Sequence, residues 1–224
     1  MTNHQQAQIT WRDGRVPVSE KFDDPYYSIT DGLAETRHVF LAGNNLPARF
    51  TEGFHIAELG FGTGLNMLTA WRAWLDAGMT GQLQFTSFEA FPMGADDVRA
   101  ALTAFPELGG LAEPFVQAWG AGKTAFETDT LKATVITGDA RRTLPEWDGK
   151  ADAWFLDGFS PAKNPELWEA PLMHAVADHT MRQGTFATYT AAGFVRQALS
   201  DAGFHIERIK GFGRKRHMTI GTLT

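Results

Sequence analysis

No cysteine occurs among the 224 residues. That absence removes disulfide staples, thiolate zinc sites, cysteine nucleophiles and cysteine-ligated iron–sulfur clusters, together with radical chemistry run from such a cluster. No apolar run approaches the roughly 18 residues of a membrane span, and the polar segment Met1 to Trp11 lacks the basic-then-apolar order of a secretory signal. The cytoplasm is therefore the expected compartment, with no membrane partner. Internal repeats, low-complexity tracts and Pro/Ser-rich linkers are also missing. The expectation is a single structural domain, with residues 1–50 forming an extension packed on a core of residues 51–224. The seven histidines are scattered, and His174 and His179 lack the spacing of a paired helical site, so no metal is expected.

The apolar fraction of 43% and charged fraction of 21% are those of an ordinary globular chain. A net charge of −6 argues against a protein that coats nucleic acid, although net charge describes the whole surface and not one face. One stretch has the opposite sign: Arg208, Lys210, Arg214, Lys215 and Arg216 follow one another with no acid among them.

Asp13-Gly14, a pair suited to positive backbone angles, separates the strand-like runs Ile9 to Arg12 and Val16 to Ser19 and predicts a hairpin. Gly32 to Leu41 reads as a helix. From there, short β-rich runs alternate with longer helical stretches: Gly53 to Glu58, Leu83 to Glu89, Thr134 to Asp139, Ala153 to Asp157 and Thr185 to Thr190. This rhythm predicts an α/β fold, a parallel five-strand sheet with helices on both faces. The last two runs, Phe204 to Ile209 and His217 to Thr222, are joined too closely for anything but an antiparallel hairpin. A Rossmann-like, mostly parallel sheet closed by such a hairpin is the arrangement of class I methyltransferases rather than of dinucleotide dehydrogenases, an analogy of fold.

The strongest local signal is Glu58-Leu59-Gly60-Phe61-Gly62-Thr63-Gly64-Leu65-Asn66, where the first core strand passes into a helix. Glycines there let the backbone approach a ligand and leave helix N-terminal amides free. A dinucleotide fingerprint needs its third glycine where Leu65 stands, and an anionic pyrophosphate is repelled by a carboxylate at Glu58. The cationic sulfonium and amino group of S-adenosylmethionine are attracted by it. Glu89, ending the next strand, has two oxygens for the two ribose hydroxyls; Asp139, with Ala140 beside it, is placed to meet the adenine amino group. Gly60, Gly62, Gly64, Asn66, Glu58, Glu89, Asp139 and Ala140 are thus the candidate cofactor residues. Read alone, either later acid is more readily a solvated strand end or helix cap; three such positions in register with one glycine turn favour the cofactor.

After the fourth strand comes Trp154-Phe155-Leu156-Asp157-Gly158-Phe159-Ser160-Pro161-Ala162-Lys163-Asn164-Pro165. Asp157 is suited to bind an ammonium group and take its proton, Phe159 offers an aromatic face, and two prolines stiffen the loop. Asp157 and Phe159 are the candidate catalytic pair; Asp157 as a loop cap with Phe159 in the core is the competing reading.

These segments, together with Phe22-Asp23-Asp24-Pro25-Tyr26-Tyr27-Ser28, Gly32 to Leu41 and Gly211-Phe212-Gly213-Arg214-Lys215-Arg216, resemble the methyltransferase domain of the bifunctional tRNA 5-methylaminomethyl-2-thiouridine biosynthesis family and its stand-alone relatives, over nearly the whole chain. Asp157 to Pro165 is the most specific of them. The resemblance implies transfer of a methyl group from S-adenosylmethionine to the aminomethyl nitrogen at carbon 5 of the tRNA wobble uridine, with Asp157 as the amine partner. It implies a tRNA anticodon loop as partner, its base turned outward and stacked on Phe159. Lys163, Lys210, Arg214, Lys215 and Arg216 are the candidate RNA contacts, a solvated hairpin tip being the other reading of the last four and a helix cap the other reading of Lys163 and Asn164. Trp11, Arg12, Tyr26, Tyr27 and Arg37 suit RNA contacts or a buried cover equally. The bifunctional members continue into a flavin-dependent oxidoreductase that removes a carboxymethyl group; this chain ends at Thr224, so it is expected to start from the aminomethyl nucleoside and to need no FAD, with a separate FAD-dependent oxidoreductase as one candidate upstream partner and the choice between a stand-alone enzyme and part of a longer one left open. The alternatives are an aminopropyltransferase or other small-amine methyltransferase of the same fold, and a non-catalytic RNA-binding protein. A dehydrogenase ranks last.

Overall fold

The computed structural model describes residues 6–28 and 31–224; the first five residues of the polar N-terminus lie outside them. The extension is a small antiparallel sheet of β1 (Ile9–Arg12), β2 (Val16–Ser19) and β3 (Asp24–Pro25). Its first turn is the one predicted, since Asp13 and Gly14 both have positive φ, 52° and 63°. Asp31 caps α1 (Gly32–Thr36) by accepting from the Ala34 amide. The expected single helix to Leu41 instead widens into a π-helical segment at Arg37–Leu41.

Beyond lie β4 (His55–Leu59), α2 (Leu65–Asp76), β5 (Leu83–Glu89), α3 (Ala95–Leu102), α4 (Gly109–Gly120), β6 (Ala125–Glu127), β7 (Leu131–Thr137), α5 (Ala140–Thr143), β8 (Ala151–Leu156), α6 (Ala170–Asp178), β9 (Thr180–Thr188), α7 (Gly193–Asp201), β10 (Phe204–Lys210) and β11 (His217–Leu223). They form one eight-stranded sheet in the order β10-β11-β9-β8-β4-β5-β7-β6. Five central strands are parallel, as expected, and β10 and β11 close one side antiparallel. The other edge carries β6, a three-residue antiparallel strand too short to read in the sequence. Most strand ends differ from expectation by one or more residues, two of them for evident local reasons. Strand β7 stops at Thr137 because Gly138 takes φ 138° and Asp139 caps α5. Strand β9 starts at Thr180, and its pairing with β8 shifts register after Ala151.

Side-chain alternation divides the core between the two faces of the sheet. Ile56, Phe85 and Phe155 pack with α2 and α4 and with the Val39, Phe40 and Leu41 segment; Leu59, Phe88, Trp154 and Leu156 pack on the other face with α6 and α7. Phe40 stacks on Phe155 at 5.3 Å, so the chain before β4 shares the core of the sheet.

The order reverses between β4 and β8, where strands with opposite onward connections lie side by side, and such a point leaves a crevice at the carboxyl ends. Register makes the crevice sharp. Leu59 pairs with Phe88 and Leu156, the Gly60 amide donates to the Phe88 carbonyl (2.9 Å), the Asp157 amide to the Leu59 carbonyl (3.0 Å), and the Gly138 amide to the Glu89 carbonyl (2.8 Å). Four chain segments therefore leave the sheet at one level.

Gly60 has φ 91°, and a Cβ there would collide with the Asp157 carbonyl oxygen. Gly60→Ala is expected to cost about 3 kcal/mol, a loss of about 6–12 °C in Tm. Gly14→Ala, at φ 63° with no atom within 4 Å, is expected to cost about 1 kcal/mol. Thermal denaturation of the two variants beside the parent checks the contrast.

Candidate active site

The crevice opens as a cavity of about 710 Å³, within the range of small-molecule sites. Its floor is a buried hydrogen-bonded chain centred on Asn66, in the first turn of α2. The Asn66 amide donates to Glu58 Oε1 (2.8 Å) and Asp157 Oδ2 (2.7 Å), while its carbonyl oxygen accepts from Thr36 Oγ1 (2.9 Å). Ser87 Oγ donates to the other Glu58 oxygen at 2.7 Å. Strands β4, β5 and β8 and helices α1 and α2 thus meet in one polar network with every amide group of Asn66 used.

One wall comes from the β5 side. Glu89 Oε2 accepts from the Gly62 amide (3.0 Å) and Oε1 from the Phe91 amide (2.7 Å), which anchors the glycine turn to the end of β5. Asp139 accepts the Arg141 amide at 3.0 Å and pairs with its guanidinium at 2.6 Å. The facing wall is aromatic: Phe159 stacks on Phe22 at 4.8 Å and meets the edge of Tyr26 at 5.1 Å. The loop carrying Phe159 is pinned from three sides. Asp24 Oδ2 accepts the Ser160 amide (2.8 Å), Tyr189 donates to the Gly158 carbonyl (2.7 Å), and Trp168 Nε1 to the Phe159 carbonyl (2.9 Å).

Six acids line the cavity (Asp24, Glu35, Glu89, Asp139, Asp157 and Glu166) against three bases, Lys21, Arg141 and Lys215. Such a wall favours a cation and opposes a pyrophosphate. The open glycine turn, the two strand-end acids and the excess of carboxylate fit a cationic nucleoside cofactor.

Residues 106–224, more than half of the chain, match the family described as S-adenosyl-L-methionine-dependent methyltransferase. The chain belongs to that family. Over 99% of its length it is 44% identical to the tRNA 5-methylaminomethyl-2-thiouridine biosynthesis bifunctional protein MnmC of Pseudomonas paraeruginosa, and over 98% it is 42% identical to that of Aeromonas hydrophila. It spans 36% of the length of each. Among solved structures it is similar to MNMC2 from Aquifex aeolicus, with a TM-score of 0.76 at 25% identity, covering 100% of this chain and 72% of that one. Spermidine synthase from Thermotoga maritima, at a TM-score of 0.55 and 10% identity over 97% of this chain, shares the fold alone. The sheet is that of the class I methyltransferases, and the family's cofactor is S-adenosylmethionine.

In this methyltransferase, Gly60, Gly62, Asn66, Glu89, Asp139, Ala140, Asp157, Phe159 and Asn164 all line the cavity. Glu58 and Gly64 do not. Glu58 is fully buried one layer below, its oxygens turned to Ser87 and Asn66, so the direct attraction of a sulfonium expected of it is replaced by a hold on Asn66. A Cβ at Gly64, which precedes α2 at φ 78°, would face Phe61 and Phe115. Two of the expected RNA cations are also otherwise engaged. Lys163 pairs with Asp23 and Asp24 of the extension. Lys215, half-exposed at the edge of the cavity it lines, pairs with Glu35 at 2.8 Å, its Nζ 4.3 Å from the centre of the Tyr189 ring. Lys210, Arg214 and Arg216 remain exposed. Glu35, Tyr189, Phe22 and Arg141 are cavity residues that motif reasoning did not single out; a hydrophobic-to-aromatic cluster beside an acid pair, Phe22 to Tyr27, was the available signal for Phe22.

Burial drives the three carboxyls upward. Glu58 is pushed well above the ordinary range, with Ser87 and Asn66 opposing, and Glu89 is raised by burial against the pull of the Gly62 and Phe91 amides. Asp157 is raised from 3.8 to about 7, by burial first and by Glu35, with Asn66 and Lys215 opposing. Asp139 is lowered, chiefly by its bond from Arg141.

A carboxyl whose folded value is raised contributes stability that is fully present below its unfolded value and is lost as pH rises through the folded one. For Asp157 that window runs from 3.8 to about 7. Asp157→Asn is therefore expected to raise the Tm of the ligand-free protein by about 5 °C at pH 8, on the order of 2 kcal/mol once the partial opening to solvent is discounted. The gain should vanish near pH 4. Melting curves of the variant and parent across this range check it.

Proposed function

We propose that this chain methylates the aminomethyl nitrogen at carbon 5 of a uridine or 2-thiouridine at the tRNA wobble position, giving the 5-methylaminomethyl form, 5-methylaminomethyl-2-thiouridine from the 2-thio base. The observation that carries the reading is Asp157: a carboxyl held by Asn66 at the switch point of the sheet, beside an aromatic wall and poised to lose its proton near neutral pH. The 44% identity to proteins named for this modification supports the choice of acceptor.

Bound S-adenosylmethionine supplies an electrophilic methyl group; Glu89, Asp139, Ala140 and the glycine turn are the residues that would hold it. The chain's own task is positional, because attack on such a methyl group needs a neutral nitrogen lone pair held in line. A primary alkylamine is mostly protonated at pH 7, so the Asp157 carboxylate first binds the ammonium and then takes its proton. Asn66 orients that carboxylate, and Glu58 orients Asn66. Phe159 and Tyr26 form the wall on which an outturned base stacks. Lys210, Arg214 and Arg216, exposed on the β10–β11 hairpin, suit the phosphates of an anticodon loop. Such a substrate arrives with its amine already free, which asks for an FAD-dependent oxidoreductase acting upstream, and the aqueous cytoplasm is the compartment that holds it. Among the described residues no helix is long and apolar enough to cross a membrane.

Incubation with radiolabelled S-adenosylmethionine and tRNA from a strain unable to complete this modification, followed by nucleoside digestion, is expected to place label in 5-methylaminomethyl-2-thiouridine. Asp157→Asn should reduce transfer by 10²-fold or more. Cofactor binding without transfer to tRNA would exclude the assignment. With the parent, kcat/KM should fall about tenfold per pH unit below about 7, where the Asp157 carboxylate takes up its proton. Replacing Arg214 and Arg216 together by Glu should raise KM for tRNA several-fold and flatten its dependence on salt, with kcat little changed.

A further inference from the structure

The cavity holds a second pair of charges that amine binding does not use. Glu35 of α1 and Lys215 of the β10–β11 loop meet beside Asp157, and both line the same space. The Glu35 side chain is 14% exposed. Its Oε1 accepts from Lys215, and Oε2 carries no hydrogen bond among the described residues. Lys215 Nζ has three N–H donors. One goes to Glu35 and a second side of the ammonium faces the Tyr189 ring, leaving donor capacity toward the cavity. Tyr189 cannot swing away, since its hydroxyl is bonded to the Gly158 carbonyl at 2.7 Å. A donor thus stands beside an acceptor, next to the carboxylate that takes the amine.

The edge of a uracil ring presents groups in a matching sequence. Next to the carbon 5 substituent lies the carbon 4 carbonyl, an acceptor, and next to that N3–H, a donor. We propose that Lys215 and Glu35 are specificity-determining residues that read this edge, Lys215 donating to the carbonyl oxygen and Glu35 accepting from N3–H while Asp157 holds the aminomethyl group. This rests on the amine-methylation reading above and adds the base identity to it. Cytosine reverses both groups: its exocyclic amine would face the ammonium and its bare N3 the carboxylate. Two mismatched polar contacts, one of them at the largely shielded Glu35, reject an analogue more strongly than a missing methylene does. A 2-thio or 2-oxo group lies beyond N3 and is not read by this pair, so both uridines are accepted.

The test uses two synthetic anticodon stem-loop RNAs identical except at the wobble base, one with 5-aminomethyluridine and one with 5-aminomethylcytidine. The parent should prefer uridine on the order of ten- to hundred-fold in kcat/KM, and the same order should appear in equilibrium binding measured with S-adenosylhomocysteine present. K215M should bring the preference to within about threefold, mainly by losing uridine, and E35Q should narrow it because its amide can donate to the cytosine N3. K215R, which keeps a donor, should retain most of the preference. Equal use of the two RNAs by the parent, or an unchanged preference in K215M, would overturn the inference while leaving amine methylation intact. Transfer to neither RNA by the parent would instead overturn the function it rests on.

Discussion

Everything at the active centre hangs on one side chain, the Asn66 amide. Its two N–H groups join the carboxyls of Glu58 and Asp157, and its oxygen ties in Thr36. The geometry is possible because parallel register brings Leu59 level with Leu156, so the first residue after β8 lies against the first turn of α2. Burying two carboxyls a few ångströms apart is costly unless each oxygen is met by a donor. Ser87 and Asn66 meet those of Glu58, and the high proton affinity that remains is the residue of that cost. Asp157 inherits a gentler version, which puts its titration where an amine-handling carboxylate is useful.

The same burial sets stability against chemistry. A carboxyl raised toward neutrality weakens the fold just where it becomes reactive, and the surrounding fold carries that weakness through two apolar layers, one on each face of the sheet. The extension contributes to both sides of this balance. Phe40 adds to the core, while Asp24, Phe22 and Tyr26 build and brace the aromatic wall of the cavity. Removing the chain before β4 would expose Asp157 to water as well as strip packing from the sheet.

Charge placement shows how little the sign of a residue says by itself. Lys163 and Lys215 stand in sequence among cations and prolines, which suggested phosphate contacts. In the fold each meets an acid from the extension or α1, more than a hundred residues away in the chain. Their neighbours Arg214 and Arg216 keep the outward direction. One tight hairpin loop therefore borders the cavity through a half-exposed Lys215 and presents the arginines to solvent.

Sequence by itself determined the alternation of strands and helices, the closing hairpin, the glycine turn and the acids at the strand ends. These are local patterns: a period of two, a period of 3.6, a glycine where φ must be positive, an acid where a strand stops. It also determined the family, through the long stretch Asp157 to Pro165. Only the tertiary structure decided which acids face the cavity. Glu58 and Glu89 stand near the ends of adjacent parallel strands, yet Glu58 is level with Ser87, two residues short of Glu89, which leaves Glu58 beneath Asn66 and Glu89 at the wall. The edge strand β6 and the π-helical widening at Arg37–Leu41 were illegible for a related reason. One is three residues long and exists only by pairing with β7, and the other depends on packing against β9 and α2 rather than on its own residues. Direction, partner and depth are properties of the packed chain, and no spacing in the sequence carries them.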